Sequence, residues 1–404
     1  MTRSVLNAAL NAQSALLQAA ISGIRIMIVY RAIASGADPA FLGVLVASFS
    51  LPALFAALPI GQLSDRIGGA PLGVAGLVLI AAGGVGMLRL DGLLALAISS
   101  AVVGLGQVST VVGQQSIVAH ASARNGADGA FGNLSAAASI GQLIGPPLIT
   151  TIATIGARGE TPNTNAGLLA CVLLAAVALG ASLVPLRNDR ALTLARREAA
   201  LGVSSSTVHE PMPGLWRALV VSGAVLATSD IVYAYLPLWA VENSVGVTAV
   251  GWLLALRAAV SVVSRFGLER LVTRFGRSIL LVLAMLIGAV ALVVLPSSGL
   301  VAAACVMVGL GITLGLPQPL TMAWVVNIAA PASRGRALGL RLTANRLAQV
   351  TVPVGVGLVA APLGTAGVFW ATAALLAVAT AVVPRRESTE GPPRRDTEAP
   401  VTPE

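Results

Sequence analysis

Apolar runs long enough to cross a bilayer recur from one end of the chain to the other, separated by short polar breaks. The pattern predicts twelve helical spans, at about 12–33, 41–63, 71–88, 92–117, 130–155, 166–186, 215–238, 248–266, 278–296, 299–326, 338–361 and 366–384. Turn formers mark their ends, as in Ser35-Gly36-Ala37-Asp38-Pro39, Gly68-Gly69-Ala70-Pro71 and Pro296-Ser297-Ser298-Gly299. The longest polar interruption, 187–214, predicts a cytoplasmic linker between an N-terminal six-helix bundle (1–186) and a C-terminal one (215–384). Residues 385–404, rich in Pro, Glu, Thr and Arg, predict a disordered cytoplasmic tail. An all-α membrane protein of about twelve transmembrane helices is the expected fold class.

Polar positions inside the spans are unevenly shared. Spans three, six, nine and twelve hold no charge and no Asn or Gln, so they should face lipid or give support. The embedded charges are Arg25, Asp230, Arg257, Arg341 and Arg346, in spans one, seven, eight and eleven. The embedded amides include Gln114, Gln142, Gln318, Asn345 and Gln349. A charge at mid-bilayer costs about 2.5–3.5 kcal/mol even on lenient scales, so these groups should face water or one another. Arg25, Arg257 and Arg346 lie deepest and are the first candidates for touching a substrate, with Asn345, Gln349, Gln142 and Gln114 as neutral partners. Arg341, Asn345 and Gln349 are spaced i, i+4, i+8 and share one helix face; Arg341 is near enough to the span end to snorkel instead. Asp230, the one carboxylate well inside a span, could carry a coupling proton or stand as a fixed counter-ion.

The two halves repeat at an offset of about 207 residues. Ala130, Gly132, Gln142 and Pro146 in span five align with Ala337, Gly339, Gln349 and Pro353 in span eleven. Asp65-Arg66-Ile67-Gly68 lies opposite Thr273-Arg274-Phe275-Gly276, and Gly43 opposite Gly251. The offset joins spans of like direction, so the repeat is parallel, an arrangement that places a binding site between the bundles near the midplane.

Composition closes off other classes. The chain is 56% hydrophobic and 10% charged, where soluble domains carry about a quarter charged residues. The net charge of +9 comes from arginine alone and is spread through connections, not gathered on a soluble fold, so no nucleic-acid partner is expected. With the N-terminus inside, the arginines of the 65–68, 270–277 and 334–336 connections, the linker and the tail are all cytoplasmic, and only Arg31, Arg89 and Arg158 face out. Both termini are therefore expected on the cytoplasmic side. A cleaved leader ending near Ala34 would carry Arg25 in its apolar core, so the first run is read as a span. The tryptophans fall near span ends, as an interfacial belt predicts, and Cys171 and Cys305 are expected to be small core residues. No metal, cofactor or catalytic motif is called for: His-Glu-x-x-His, Gly-x-Ser-x-Gly and a phosphate-cradling Gly-x-x-x-x-Gly-Lys are missing from the sequence.

Gly61-Gln62-Leu63-Ser64-Asp65-Arg66-Ile67-Gly68 resembles the signature loop of the major facilitator superfamily, although Gly69 and Ala70 stand where that family carries basic residues. The second half keeps one such residue, Arg277, after Arg274 and Gly276. The resemblance implies a gating loop; a plain topology anchor is the other reading. Gly132, Gly141, Gly145 and Pro146 are similar to a span-five motif of proton-driven antiporters, without the glycine expected soon after the proline; ordinary helix packing explains the same spacing. The resemblance implies a secondary transporter working by alternating access: proton-coupled export of a small organic molecule, or uptake or exchange of an organic anion or phosphate compound through an arginine-lined cavity. Proton-coupled exporters of the family often carry an acidic residue in span one, and this chain does not. The expected setting is a bacterial-type plasma (inner) membrane, and the expected partners are an anionic or neutral small-molecule substrate, protons and membrane lipid. Nothing in the sequence calls for an oligomer, and a monomer is expected.

Overall fold

The computed structural model describes residues 3–121, 127–157, 161–186, 212–329, 334–360 and 363–384. The greater part of the expected linker and the whole 385–404 tail lie outside the described residues. The first half forms α1 (Arg3–Ala34), α2 (Pro39–Ile67), α3 (Gly69–Arg89), α4 (Leu93–Ala121), α5 (Ala127–Ile152) and α6 (Thr164–Ala181). The second forms α7 (Leu215–Glu242), α8 (Val247–Val263), α9 (Leu268–Phe275), α10 (Arg277–Val294), α11 (Leu300–Gly315), α12 (Pro317–Ile328), α13 (Arg334–Ala360) and α14 (Gly364–Val382).

Two expected spans are broken. Span eight is the pair α8–α9, bent by 66°. The bend sits at Ser264–Gly267, where Gly267 adopts a left-handed φ of 73°. Span ten is interrupted at Leu316, because Pro317 supplies no N–H to continue the ladder. Among the described residues nine helices are long and apolar enough to cross a membrane, or ten with the bent pair as one. The sequence predicts twelve; α5 and α13, of 26 and 27 residues, are long enough and too polar to qualify. Pro146 of α5 and Pro353 of α13 meet the other half.

Burial follows the polar pattern at its extremes only, since α2 is no more buried than α3 and α14 (44% each) and α4 no more than α10 (50% each). In α1 and α7 the most apolar stretch is 72% and 78% buried, against 33% in α6. α3, α6, α10 and α14 present an apolar outward row, including Val78, Leu173, Val290 and Val378. Two expectations fail here. Trp239 is fully buried, because it stands on the central helix α7, and Cys305 is exposed on the outer face of α11.

Within the first half α3 packs along α4, and α1 along α5 and α6. Gly76 and Gly106 let the α3 and α4 backbones meet: a Cβ on either would lie 2.5 Å from the other's carbonyl oxygen. Such close approach supplies packing where lipid offers no hydrophobic drive between helices. The halves meet along two seams, α2 against α13 and α5 against α8, while α1 touches α7.

The segment 61–68 is not a loop. α2 runs on to Ile67, and the whole connection is Gly68, with φ 104° and ψ 155°, whose N–H donates to the Ser64 carbonyl. Gly276 repeats it with φ 79° and ψ 152° between α9 and α10. Both conformations belong to glycine, so the repeat extends to a matched pair of one-residue turns. Asp65 therefore falls in the last turn of α2, and its side chain lies outside the described residues.

Candidate functional site

Asp230 stands midway along α7 and is 3% exposed. Arg25 of α1 reaches it across the gap between halves, its Nη2 donating to Oδ1 at 2.6 Å. Gln349 of α13 donates to the other oxygen, Oδ2, at 2.9 Å, and its own carbonyl accepts from Arg346 Nη1 at 3.1 Å. Both carboxylate oxygens are thus occupied by donors, one charged and one neutral. Charge-assisted pairs of this length are the strong class of hydrogen bond.

One helical turn on, Tyr233 shares the Asp230 face of α7. Its ring receives the Arg25 guanidinium at 4.8 Å and that of Arg257, from α8, at 4.9 Å. Phe49 of α2 covers Arg25 from another side at 5.3 Å. Arg257 is 4% exposed; it makes no ion pair among the described residues, and its Nε has no hydrogen-bond partner. A guanidinium held over an aromatic face gains about 0.5–2 kcal/mol. That offsets part of the cost of about 2.5–3.5 kcal/mol for a charge at membrane depth. Arg25, Arg257 and Arg346 against Asp230 leave the cluster with a net charge of +2. Beside it lies a cavity lined by Arg25, Val46, Phe49, Ser100 and Tyr233 among others.

The structure brings together four of the residues singled out from the sequence, Arg25, Asp230, Arg346 and Gln349, with Arg257 joined through Tyr233. Asn345 precedes Arg346 and is 4% exposed, with no partner for Oδ1. Arg341 does not snorkel: 7% exposed, it donates to the Gln318 carbonyl and side chain and to Thr321, inside the second half. Gln114 stands elsewhere, donating to Gln13 at 3.1 Å while Gln13 donates to Ser182 at 2.5 Å, a buried network tying α4, α1 and the end of span six. Gln142 is half-buried on α5 and bonds to none of the cluster. Tyr233, Phe49 and Gln13 were missed by the sequence reading. Tyr233 had a signal, its i+3 spacing from Asp230; Phe49 reads as one more apolar residue, and Gln13 sits at the edge of its span.

The glycines and prolines of the repeat meet across the seams. A Cβ on Gly43 of α2 would fall 2.5 Å from the Pro353 carbonyl oxygen of α13. One on Gly251 of α8 would collide with Thr150 Oγ1 and lie 2.8 Å from the Pro146 carbonyl oxygen of α5. Tyr235 closes the same end, its hydroxyl donating to the Pro39 carbonyl at 2.6 Å. At the other end of these helices a Cβ on Gly61, Gly132 or Gly339 meets nothing within 4 Å. Among the described residues the halves touch where α1 joins α2, and these three glycines face open space where α2 joins α3. Gly141 and Gly145 serve a separate contact, letting α5 approach Ala15, Ala19 and Ser22 of α1. Arg66 is exposed beside the Gly68 turn, Arg274 lies over the Phe275 ring at 5.5 Å, and Arg277 opens α10.

The model of the major facilitator superfamily matches the chain twice, over residues 12–244 and 218–403. The chain belongs to the major facilitator superfamily. It is a multi-pass membrane transporter of small molecules and not an enzyme. Its fold is that of solved relatives despite low identity. The nucleoside transporter NupG superimposes with a TM-score of 0.75 at 13% identity, covering 94% of this chain and 98% of that one. A POT family transporter in complex with 5-aminolevulinic acid gives 0.76 at 14% identity, covering 93% and 95%. The peptide transporter POT in complex with sulfate gives 0.73 at 15% identity, covering 94% and 93%. No curated protein sequence is a significant match to this facilitator.

Proposed function

We propose that this facilitator moves a small organic anion across the membrane by alternating access, with proton entry driving export. The observation that carries the reading is the cluster between the halves: three guanidinium groups against one carboxylate, with Arg257 buried and unpaired. Guanidinium groups suit carboxylate and phosphate oxygens, and a cation would be repelled. All twelve helical columns then count as spans, α5 and α13 included, because both pack into the interior of the molecule, against their own bundle and the opposite one. The arginine bias puts both termini and the open end of the seams on the cytoplasmic side. The cell's plasma (inner) membrane, a bacterial-type setting, and a monomer complete the proposal. In this reading rocking parts Asp230 from Arg25, and Asp230 is the residue that takes up the coupling proton.

A second reading, anion uptake or exchange without a proton, is favoured by one detail: both Asp230 oxygens are held by donors, which suits a carboxylate that stays ionised as a fixed counter-ion. The test is accumulation of matched anionic and cationic probes by energised inside-out vesicles, with and without a protonophore. Anion accumulation lost with the gradient supports the first reading, gradient-independent anion exchange the second, and preference for cations refutes both.

A further inference from the structure

Resting on the anion reading, we propose that the substrate carries two negative charges. Four ionised side chains meet at the α1–α7–α8–α13 junction, and the balance among them is uneven. Arg25 is neutralised by Asp230 at 2.6 Å. Among the described residues Arg346 donates to the neutral carbonyl of Gln349, at 3.1 Å, and makes no direct ion pair. Among them too, Arg257 meets the Tyr233 ring, at 4.9 Å, and has no partner on Nε. Neither of these two guanidinium groups makes an ion pair among the described residues, and an anionic group from outside the chain would satisfy each.

Their placement gives the shape as well as the count. Arg257 enters from α8 on the Tyr233 side of α7, and Arg346 from α13 on the Gln349 side. Asp230, Arg25 and Tyr233 lie between them in an unbroken series of contacts. Arg25 and Arg257 both lie over the Tyr233 ring, at 4.8 and 4.9 Å, and a guanidinium can take a carboxylate or phosphate in bidentate fashion through its remaining N–H groups. The substrate class is an organic dianion, with two carboxylates supplying the charge, or a phosphate monoester whose two charges are shared between the arginines.

The experiment is a thermal-stability titration of the purified full chain in detergent, since a ligand of the folded state raises Tm with its concentration. The probes are a series of straight-chain dicarboxylates, phosphate monoesters such as glycerol 3-phosphate, chain-length-matched monocarboxylates, and diamines. The expected result is stabilisation by one or both dianion series at concentrations at least tenfold below the matched monoanions. The ratio falls towards one in Arg257→Gln and in Arg346→Gln, while Arg257→Lys keeps part of it. Response to dicarboxylates but not to the phosphate, or the reverse, assigns the source of the charge. Equal response to mono- and dianions overturns the dianion assignment and leaves the anion reading standing. Stabilisation by diamines alone, or by no anion in the panel, overturns both.

Discussion

A Cβ added at the seams separates the halves. In Gly43→Ala the methyl carbon would lie 2.5 Å from the Pro353 carbonyl oxygen, about 1 Å inside ordinary contact, and the obstacle is backbone. In Gly251→Ala it would strike Thr150 Oγ1 and the Pro146 carbonyl. Overpacking of this kind costs about 1–3 kcal/mol, and here it can be relieved by moving whole bundles apart. Each replacement should then shift the equilibrium away from the closed seam by a factor of about 5–150. Ala234→Cys, on α7 beside the cavity and 2% exposed, reports the change, with Cys171 and the exposed Cys305 first replaced. The rate of maleimide labelling at position 234 from the α1–α2 side should rise by that factor in each single variant and further in the pair. Unchanged labelling in a variant that keeps the parent's Tm would refute the idea that these glycines hold the seam closed.

Asp230→Asn removes the carboxylate that pairs Arg25 and should abolish proton-driven accumulation while anion exchange persists; accumulation at the parent level would contradict Asp230 as proton carrier. Because Arg25 keeps some solvent contact, the stability loss should be near the lower end of the 3–5 kcal/mol typical of a broken buried pair, read from the denaturation midpoint. Gln114→Leu should lower stability by about 1–3 kcal/mol, through the unpaired Gln13 carbonyl, and leave substrate affinity unchanged; a large change in affinity would return Gln114 to the site. Gly68→Ala and Gly276→Ala should each cost about 1–3 kcal/mol in melting experiments, since both turns need positive φ. Equal tolerance of alanine at both would mean the turns relax.

Much of the architecture was legible because the bilayer imposes it. Apolar length gave the helical columns, and the repeat gave the pairing of Gly43 with Gly251 and of Pro146 with Pro353. It could not reveal that each glycine contacts the proline of the opposite half, since that crossing is a product of docking. The kink at Ser264–Gly267 was hidden inside an apolar run with no proline, whereas Pro317 advertised the break in span ten. The 61–68 segment reads as a loop on composition, yet its polar residues sit on a helix that continues past the apolar stretch. Charged positions led to Arg25, Asp230, Arg257 and Arg346 because buried charge is costly and scarce. Depth could not separate Gln114 from them, since an amide is equally at home in a structural network such as that of Gln13 and Ser182. Tyr233 shows the opposite limit: an aromatic residue passes for lipid-facing bulk until the guanidinium groups on its two neighbours are seen.

The central claim is that the arginine cluster between the halves binds the transported anion. Counterflow in proteoliposomes tests it most directly, comparing the parent protein with Arg257→Gln at matched reconstitution and thermal stability. The account predicts that preloaded organic anion drives uptake of labelled anion in the parent, that matched cations do not, and that Arg257→Gln loses the exchange. Exchange by Arg257→Gln at the parent rate would contradict it.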